Sequence, residues 1–222
     1  MENKNNLIWD KLYSNRLHFS RWPWSDLISI CSKYSRFNKK LKILEIGCGV
    51  GANVPFFLSK NCDYTGVDIS KNAIKFLKKK YKSKRLNFIH CDYINLKVNK
   101  KFDLIIDRGS ITSGNSYVNI IRIINKINVD LKNNGKFICI DWYSKKTQSY
   151  KILKTKKNLV SVKKGPLFNV GSVFFINLLE IKQLFKKFKI IYLTEKLINN
   201  YMNKMYSVAS WSFVCEKKIK AL

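Results

Sequence analysis

Three glycines at alternate positions follow a short apolar run in Leu44-Glu45-Ile46-Gly47-Cys48-Gly49-Val50-Gly51-Ala52-Asn53. A residue without a Cβ lets a ligand lie against the main chain, and the helix that follows offers free N–H groups with a partial positive field. A strand-turn-helix of this composition suits a nucleotide-like ligand. Two spacings fit. Gly47, Gly49 and Ala52 satisfy G-x-G-x-x-G/A, and Asp68 stands about 20 residues on, where a ribose-binding acid belongs in a dinucleotide site. The extra Gly51 and the leading Glu45 extend the pattern to E-x-G-x-G-x-G.

The elements that must carry these residues alternate along the chain. Residues 6–14 and 23–36 read as helices, the second with Leu27, Ile28, Ile30, Cys31 and Tyr34 at helical spacing behind Pro23. Lys42–Ile46, Tyr64–Val67, Leu86–His90, Phe102–Asp107 and Lys136–Asp141 read as strands. Between them lie helices at Val54–Ser59, Asn72–Tyr81 behind an N-capping Ser70, and Tyr117–Leu131. The last of these has an apolar face of Ile120, Ile121, Ile124, Ile127 and Leu131 and ends at Asn133-Asn134-Gly135. Alternating units with continuous apolar strands predict a parallel sheet covered on both faces. Ser144–Lys164 reads as loop or irregular helix and Leu178–Phe188 as a helix. Ile190–Leu197 and Ser207–Glu216 read as an antiparallel strand pair at one sheet edge, with Trp211 and Phe213 in the core.

Glu45–Gly51 resembles the first motif of the class I S-adenosylmethionine-dependent methyltransferases, and further segments follow in that family's order. Tyr64-Thr65-Gly66-Val67-Asp68-Ile69-Ser70 resembles the second-strand motif, and Phe88-Ile89-His90-Cys91-Asp92-Tyr93 the third strand end. Phe102–Ser110 resembles the fourth strand, and Leu131-Lys132-Asn133-Asn134-Gly135-Lys136-Phe137 the turn before the fifth, with Asn134 for the usual first glycine. The likeness is close over about residues 41–141. It implies an α/β fold: a Rossmann-like, doubly wound, mostly parallel seven-stranded sheet with an antiparallel C-terminal strand pair. It also implies one domain over 1–222, with a helical lid or cap at 1–40, a cofactor core at 41–141 and an acceptor side at 142–222.

The resemblance implies a site for S-adenosyl-L-methionine built from Glu45, Gly47, Cys48, Gly49, Gly51, Asn53, Asp68, Ile69, Asp92, Tyr93 and Asp107. Glu45 would favour the ammonium group, Asp68 would accept from both ribose hydroxyls, Ile69 would pack on adenine and Asp92 would accept from the adenine amino group. Cys48 reads as a small filler rather than a nucleophile. Methyl transfer is an in-line displacement that relies on alignment and desolvation, so no diagnostic triad is required. Asp107 and Arg108 are the candidate catalytic pair; the plainer alternative is that they pair with each other. Ser110, Asp141, Trp142 and Tyr143 also stand at strand ends, and His18 lies near the lid. Arg21-Trp22-Pro23-Trp24 and Gly165-Pro166-Leu167-Phe168-Asn169-Val170-Gly171 resemble segments of a subset of small bacterial members, the first covering the cofactor.

Composition narrows the alternatives. The chain has 222 residues and is 46% hydrophobic, with no run of membrane-spanning length. Met1–Asn6 lacks the apolar region of a signal peptide, so a cytoplasmic protein is expected. Six scattered cysteines and two histidines predict reduced, buried thiols and no metal site. The net charge of +29 invites a nucleic-acid partner. Lysine, however, outnumbers arginine roughly six to one, and abundant Lys, Asn, Ile, Tyr and Phe also follow from AT-rich codons. A small-molecule or sugar-type acceptor is the leading expectation. An RNA methyltransferase is disfavoured because Asp107-Arg108-Gly109-Ser110 stands where base-amine enzymes carry N-P-P-[YF]. A nicotinamide-dependent oxidoreductase would need a second domain or a Tyr-x-x-x-Lys pair, and a non-catalytic binder of the same cofactor stays open, as does the oligomeric state.

Overall fold

The computed structural model describes residues 4–163, 165, 167, 168, 170–202 and 206–218. Met1 to Asn3 of the leader reading, and Pro166 and Asn169 of the glycine-bounded segment, lie outside the described residues. Two helices, α1 (Lys4–Ser14) and α2 (Ser25–Tyr34), precede the first strand, β1 (Lys42–Ile46). There follow α3 (Val54–Ser59), β2 (Asp63–Asp68), α4 (Lys71–Lys80), β3 (Leu86–His90), β4 (Phe102–Arg108), α5 (Tyr117–Asp130) and β5 (Leu131–Tyr143). The remainder comprises α6 (Gln148–Lys151), β6 (Leu159–Ser161), β7 (Ser172–Phe174), α7 (Leu178–Leu184), β8 (Phe188–Asn200) and β9 (Tyr206–Lys217).

Seven strands form one sheet in the order β3-β2-β1-β4-β5-β9-β8. The first five are parallel; β9 runs antiparallel to β5, and β8 antiparallel to β9. This is the mostly parallel, seven-stranded arrangement with an antiparallel edge pair. The order reverses between β1 and β4, which opens a crevice at the carboxyl ends of those strands. One core layer packs α5 and α7 residues such as Ile120, Ile124 and Ile181 under Phe137 and Phe213. The opposite layer packs Leu27 and Ile30 of α2, Phe57 of α3 and Ile74 and Leu77 of α4 against Ile43, Leu104 and Ile138. Helix packing on both faces fixes where each strand ends, and so where the crevice residues stand.

Several boundaries differ from those expected. Helix α2 begins at Ser25, because Pro23 lies outside it and Trp24 is extended at φ −74°, ψ 127°. Helix α5 ends at Asp130; Leu131 already pairs with Phe102, and Asn133-Asn134-Gly135 is an irregularity inside β5 with Asn134 at φ 59°. On α5, Ile123 is buried at 3% exposure, whereas Ile121 of the expected apolar face is 38% exposed. Helix α7 stops at Leu184, and Phe188 begins a 13-residue strand. The lysine-rich stretch after β5 is also more ordered than its composition suggests. Strands β6 and β7 pair antiparallel over a small cluster of Tyr150, Val162, Leu167, Val173 and Phe175. Among the described residues no helix is long and apolar enough to cross a membrane.

Candidate functional site

A cavity of about 390 Å³ occupies the crevice. One end is the turn after β1. Gly49 has φ +51°, and a Cβ built there would stand 2.6 Å from the Tyr13 hydroxyl. Its amide N–H donates to Asp68 Oδ2 at 2.8 Å, while Asp68 Oδ1 accepts the Ser70 amide at 2.8 Å. Asp68 thereby joins the end of β2 to the glycine turn, with Ile69 beside it on the cavity wall. Burial raises the Asp68 carboxyl above its ordinary range, and the two amides pull it back. Glu45, buried on β1, accepts Tyr64 Oη at 2.6 Å and Asn53 Nδ2 at 2.7 Å. Burial pushes its pKa up to about 7 against those two hydrogen bonds, with Asp107 adding to the rise. Cys48 is buried with its thiol pushed well up by burial and by Asp68, and a Cβ on Gly66 would stand 2.8 Å from its sulfur. It fills space as a neutral thiol.

The other end is built by β4 and β5. Arg108 pairs with Asp141 Oδ2 at 2.9 Å, and its guanidinium lies 3.5 Å from the centroid of the Trp24 ring. Asp141 takes φ 59° where the β5–β9 register shifts, and its Oδ1 accepts Ser210 Oγ at 3.1 Å. A left-handed aspartate at a strand end is a costly conformation that the surrounding sheet must hold. Tyr143, His18, Ser113 and Asn115 continue the wall. The His18 ring meets Trp9 edge-on at 5.3 Å, and burial together with Arg108 lowers its pKa.

Helix α1 closes the cavity from above. Asn6, Trp9 and Tyr13 face the space, at positions that share one helical face. Polar contacts hold the helix on both sides. Asp10 accepts Ser70 Oγ at 2.6 Å, Asn72 Nδ2 at 2.8 Å and the Asn72 amide at 3.1 Å. Trp9 Nε1 donates to Ser113 Oγ at 2.7 Å, and Asn5 Nδ2 donates to Ser113 Oγ at 3.1 Å and to the Ser172 carbonyl at 3.0 Å.

A family profile described as a methyltransferase domain matches residues 37–189. The chain belongs to the class I S-adenosylmethionine-dependent methyltransferase family. Within that family, a malonyl-[acyl-carrier protein] O-methyltransferase of Priestia megaterium is 34% identical over 92 residues, covering 40% of this chain and 34% of that enzyme. A ribosomal RNA small subunit methyltransferase A of Mesomycoplasma hyopneumoniae is 43% identical over 56 residues, covering 25% of this chain and 22% of that one. The match thus spans about a third or less of these curated relatives. The fold is shared over most of the chain with the 1,6-didemethyltoxoflavin-N1-methyltransferase of Burkholderia thailandensis, solved with 1,6-didemethyltoxoflavin and S-adenosylhomocysteine. That structure has a TM-score of 0.69 at 14% identity and covers 96% of this chain and 88% of that one.

Most of the residues expected around the family's methyl donor reach the cavity, and two do not. Glu45, Gly47, Cys48, Gly49, Asn53, Asp68, Ile69, Asp92 and Tyr93 meet on one cavity wall. Gly51 does not: its missing Cβ leaves room for Leu77 Cδ2 of α4, which would stand 2.4 Å away, so this glycine serves packing beneath the loop. Tyr93 reaches the wall, but its hydroxyl turns into the protein and donates to Asp130 Oδ2 at 2.8 Å. Asp92 is exposed and caps the 3-10 turn Tyr93–Asn95 through the Ile94 amide.

The expected catalytic pair separates. Asp107 is fully buried and off the cavity wall, and it does not pair with Arg108. Its carboxylate accepts Trp142 Nε1 at 2.6 Å, the Ser110 hydroxyl, and the amides of Ser110 at 3.0 Å and Ile111 at 3.1 Å. Burial raises it to about 6 against these donors. It shapes the turn after β4 instead of meeting a ligand. Trp142 turns inward to serve it, whereas Asp141 and Tyr143 on either side face the cavity, as strand alternation requires. Sequence reasoning missed Asn6, Trp9 and Tyr13 individually; their i, i+3, i+7 spacing along α1 is the signal that finds them. Of the aromatic pair before β1, Trp24 is on the wall and Trp22 is 78% exposed.

Proposed function

We propose that this chain transfers a methyl group from S-adenosylmethionine to a small-molecule acceptor. The observation that carries the reading is the division of one cavity into an acidic end and an aromatic end. At the first, Glu45 and Asp68 are buried with oxygens aimed around the glycine turn, and Asp92 stands at the rim. S-adenosylmethionine would supply an electrophilic methyl group there, and its residues fit: an ammonium beside Glu45, ribose hydroxyls at Asp68, adenine along Ile69 and toward Asp92. At the second, Trp24, Arg108, Asp141 and Tyr143 surround the space where an acceptor would stand. Helix α1 and Trp24 flank the two ends, and bound reactants between them would be held together and screened from water.

A cavity of about 390 Å³ roofed by α1 favours a small acceptor over a folded nucleic acid, and one of the similar structures is named for such an acceptor, 1,6-didemethyltoxoflavin. Against this stand the net charge of +29 and the ribosomal RNA relative, so RNA is carried as the second acceptor class. Incubation with methyl-labelled S-adenosylmethionine and separate pools of cell metabolites and RNA decides between them. Label in the metabolite pool alone supports the proposal. Label in RNA alone overturns the acceptor assignment, and label in neither pool, despite cofactor binding, overturns catalysis.

A further inference from the structure

Arg108 is held on two sides and keeps one donor unused. A terminal nitrogen pairs with Asp141 Oδ2 at 2.9 Å, and the guanidinium carbon lies 3.5 Å from the centroid of the Trp24 ring. Asp141 is itself fixed: its Oδ1 accepts Ser210 Oγ at 3.1 Å, and its backbone sits at φ 59°. The left-handed residue thus aims one guanidinium along the cavity wall. Yet Arg108 Nε is shut off from solvent and makes no hydrogen bond among the described residues, although Arg108 lines the cavity. Buried polar groups are nearly always paired, and a charged donor left alone is costly. An oxygen brought by a ligand removes that cost. Stacking on Trp24 has no directional bond to break, so a small turn of the guanidinium presents the Nε–H edge to the cavity.

Charge indicates which oxygen. At this end of the cavity Asp141 is the one carboxylate among the described lining residues, and Arg108 and Ser210 already occupy its two oxygens. A cationic acceptor therefore finds no free carboxylate there. Burial and Arg108 hold His18 below its ordinary range, which leaves Arg108 as the cation of the wall. The chain as a whole carries +29, a field that draws anions. A charged donor also bonds an anionic oxygen more strongly than a neutral one. A single cation half committed to Asp141 matches a monoanionic carboxylate better than a phosphate dianion.

We propose that Arg108 Nε donates a hydrogen bond to a carboxylate of the methyl acceptor, which is therefore a small carboxylic acid. This rests on the small-molecule reading above and names its substrate class. A guanidinium keeps its charge, so Arg108 anchors the acceptor and takes no proton from it.

Cell metabolites, separated before the reaction by ion exchange into acidic, neutral and basic fractions, are each incubated with methyl-labelled S-adenosylmethionine. Label is expected in the acidic fraction. Label in the neutral or basic fraction alone overturns the proposal and leaves the small-molecule reading intact. Label in RNA alone, or in no pool, overturns that reading and this inference with it. Arg108→Lys then tests the residue, because it keeps a cation beside Asp141 and loses the Nε–H. Its apparent KM for the acidic fraction should rise about tenfold, while kcat and the affinity for S-adenosylhomocysteine change by less than about twofold. An unchanged KM, or an equal loss of S-adenosylhomocysteine affinity, overturns the role of Arg108. Should Arg108→Lys melt well below wild type, the wild-type protein decides: converting the carboxyl groups of the acidic fraction to neutral amides should cut its methylation by at least about tenfold, and a smaller fall overturns the proposal.

Discussion

At the scale of single residues, Glu45 couples the donor site to pH. Its folded pKa of about 7 stands above the ordinary 4.5, so the folded state holds a proton that the unfolded chain gives up. Its contribution to stability is therefore fully present below pH 4.5 and is lost as pH rises through 7; Asp107, raised from 3.8 to about 6, acts in the same direction. The ligand-free protein should lose on the order of 3 kcal/mol between pH 4.5 and 8 from Glu45 alone. Denaturant melts of wild type and Glu45→Gln across that range check it, the variant showing the flatter profile. An ammonium beside Glu45 has the opposite preference and favours the ionised acid. Binding of S-adenosylhomocysteine should tighten by about tenfold from pH 6 to 8 and lose that slope in Glu45→Gln. A flat profile in wild type removes Glu45 from the ammonium subsite. Asp68→Ala should weaken the same ligand by roughly 1–3 kcal/mol, because two ribose hydroxyls lose their acceptor and the amides of Gly49 and Ser70 lose theirs. Unchanged affinity would place the ribose elsewhere.

The glycine-turn end of the cavity was legible at this scale and the β4–β5 end was not. Glu45, Gly49 and Asp68 sit within one strand-turn-helix and the next strand end, so their spacing fixes their geometry. Whether a strand-end acid faces a cavity or the interior depends on partners far away in the chain. Asp107 is claimed by Trp142, and Arg108 by Asp141 and Trp24, none of them within twenty residues. No local pattern distinguishes these outcomes.

At the scale of elements, α1 is fastened more by hydrogen bonds than by buried apolar surface. Leu7 is largely exposed, while Asn5, Trp9 and Asp10 make the contacts. Asp10→Ala removes three hydrogen bonds at the α4 side and should speed amide hydrogen exchange in residues 5–14 with little effect on the sheet. Unchanged exchange in α1 would show that Asp10 does not hold it. The strands of the sheet were legible because their apolar runs are uninterrupted, and β1, α3 and β3 match their expected bounds. Errors gathered where the backbone leaves the regular path. At Asn134 a left-handed residue sits inside β5, although Asn-Asn-Gly reads locally as a helix stop. The β6–β7 pair lies in a lysine-rich stretch, where its two short apolar alternations are masked by charge.

At the scale of the whole molecule, the strand order places the glycine turn after β1 and the wall after β4 and β5 on opposite sides of the switch point, at the same carboxyl edge of the sheet. That much follows from topology once the alternating pattern is read. The cover does not, because α1 reaches the cavity through contacts far apart in sequence, such as Trp9 with Ser113 and Asn5 with Ser172.

Those contacts have a kinetic meaning. Helix α1 is pinned to the β2–α4 turn on one flank and to the β4–α5 loop and β7 on the other, so it can swing away only when both sets of bonds part. The slower of the two latches then limits how fast that edge of the cavity widens.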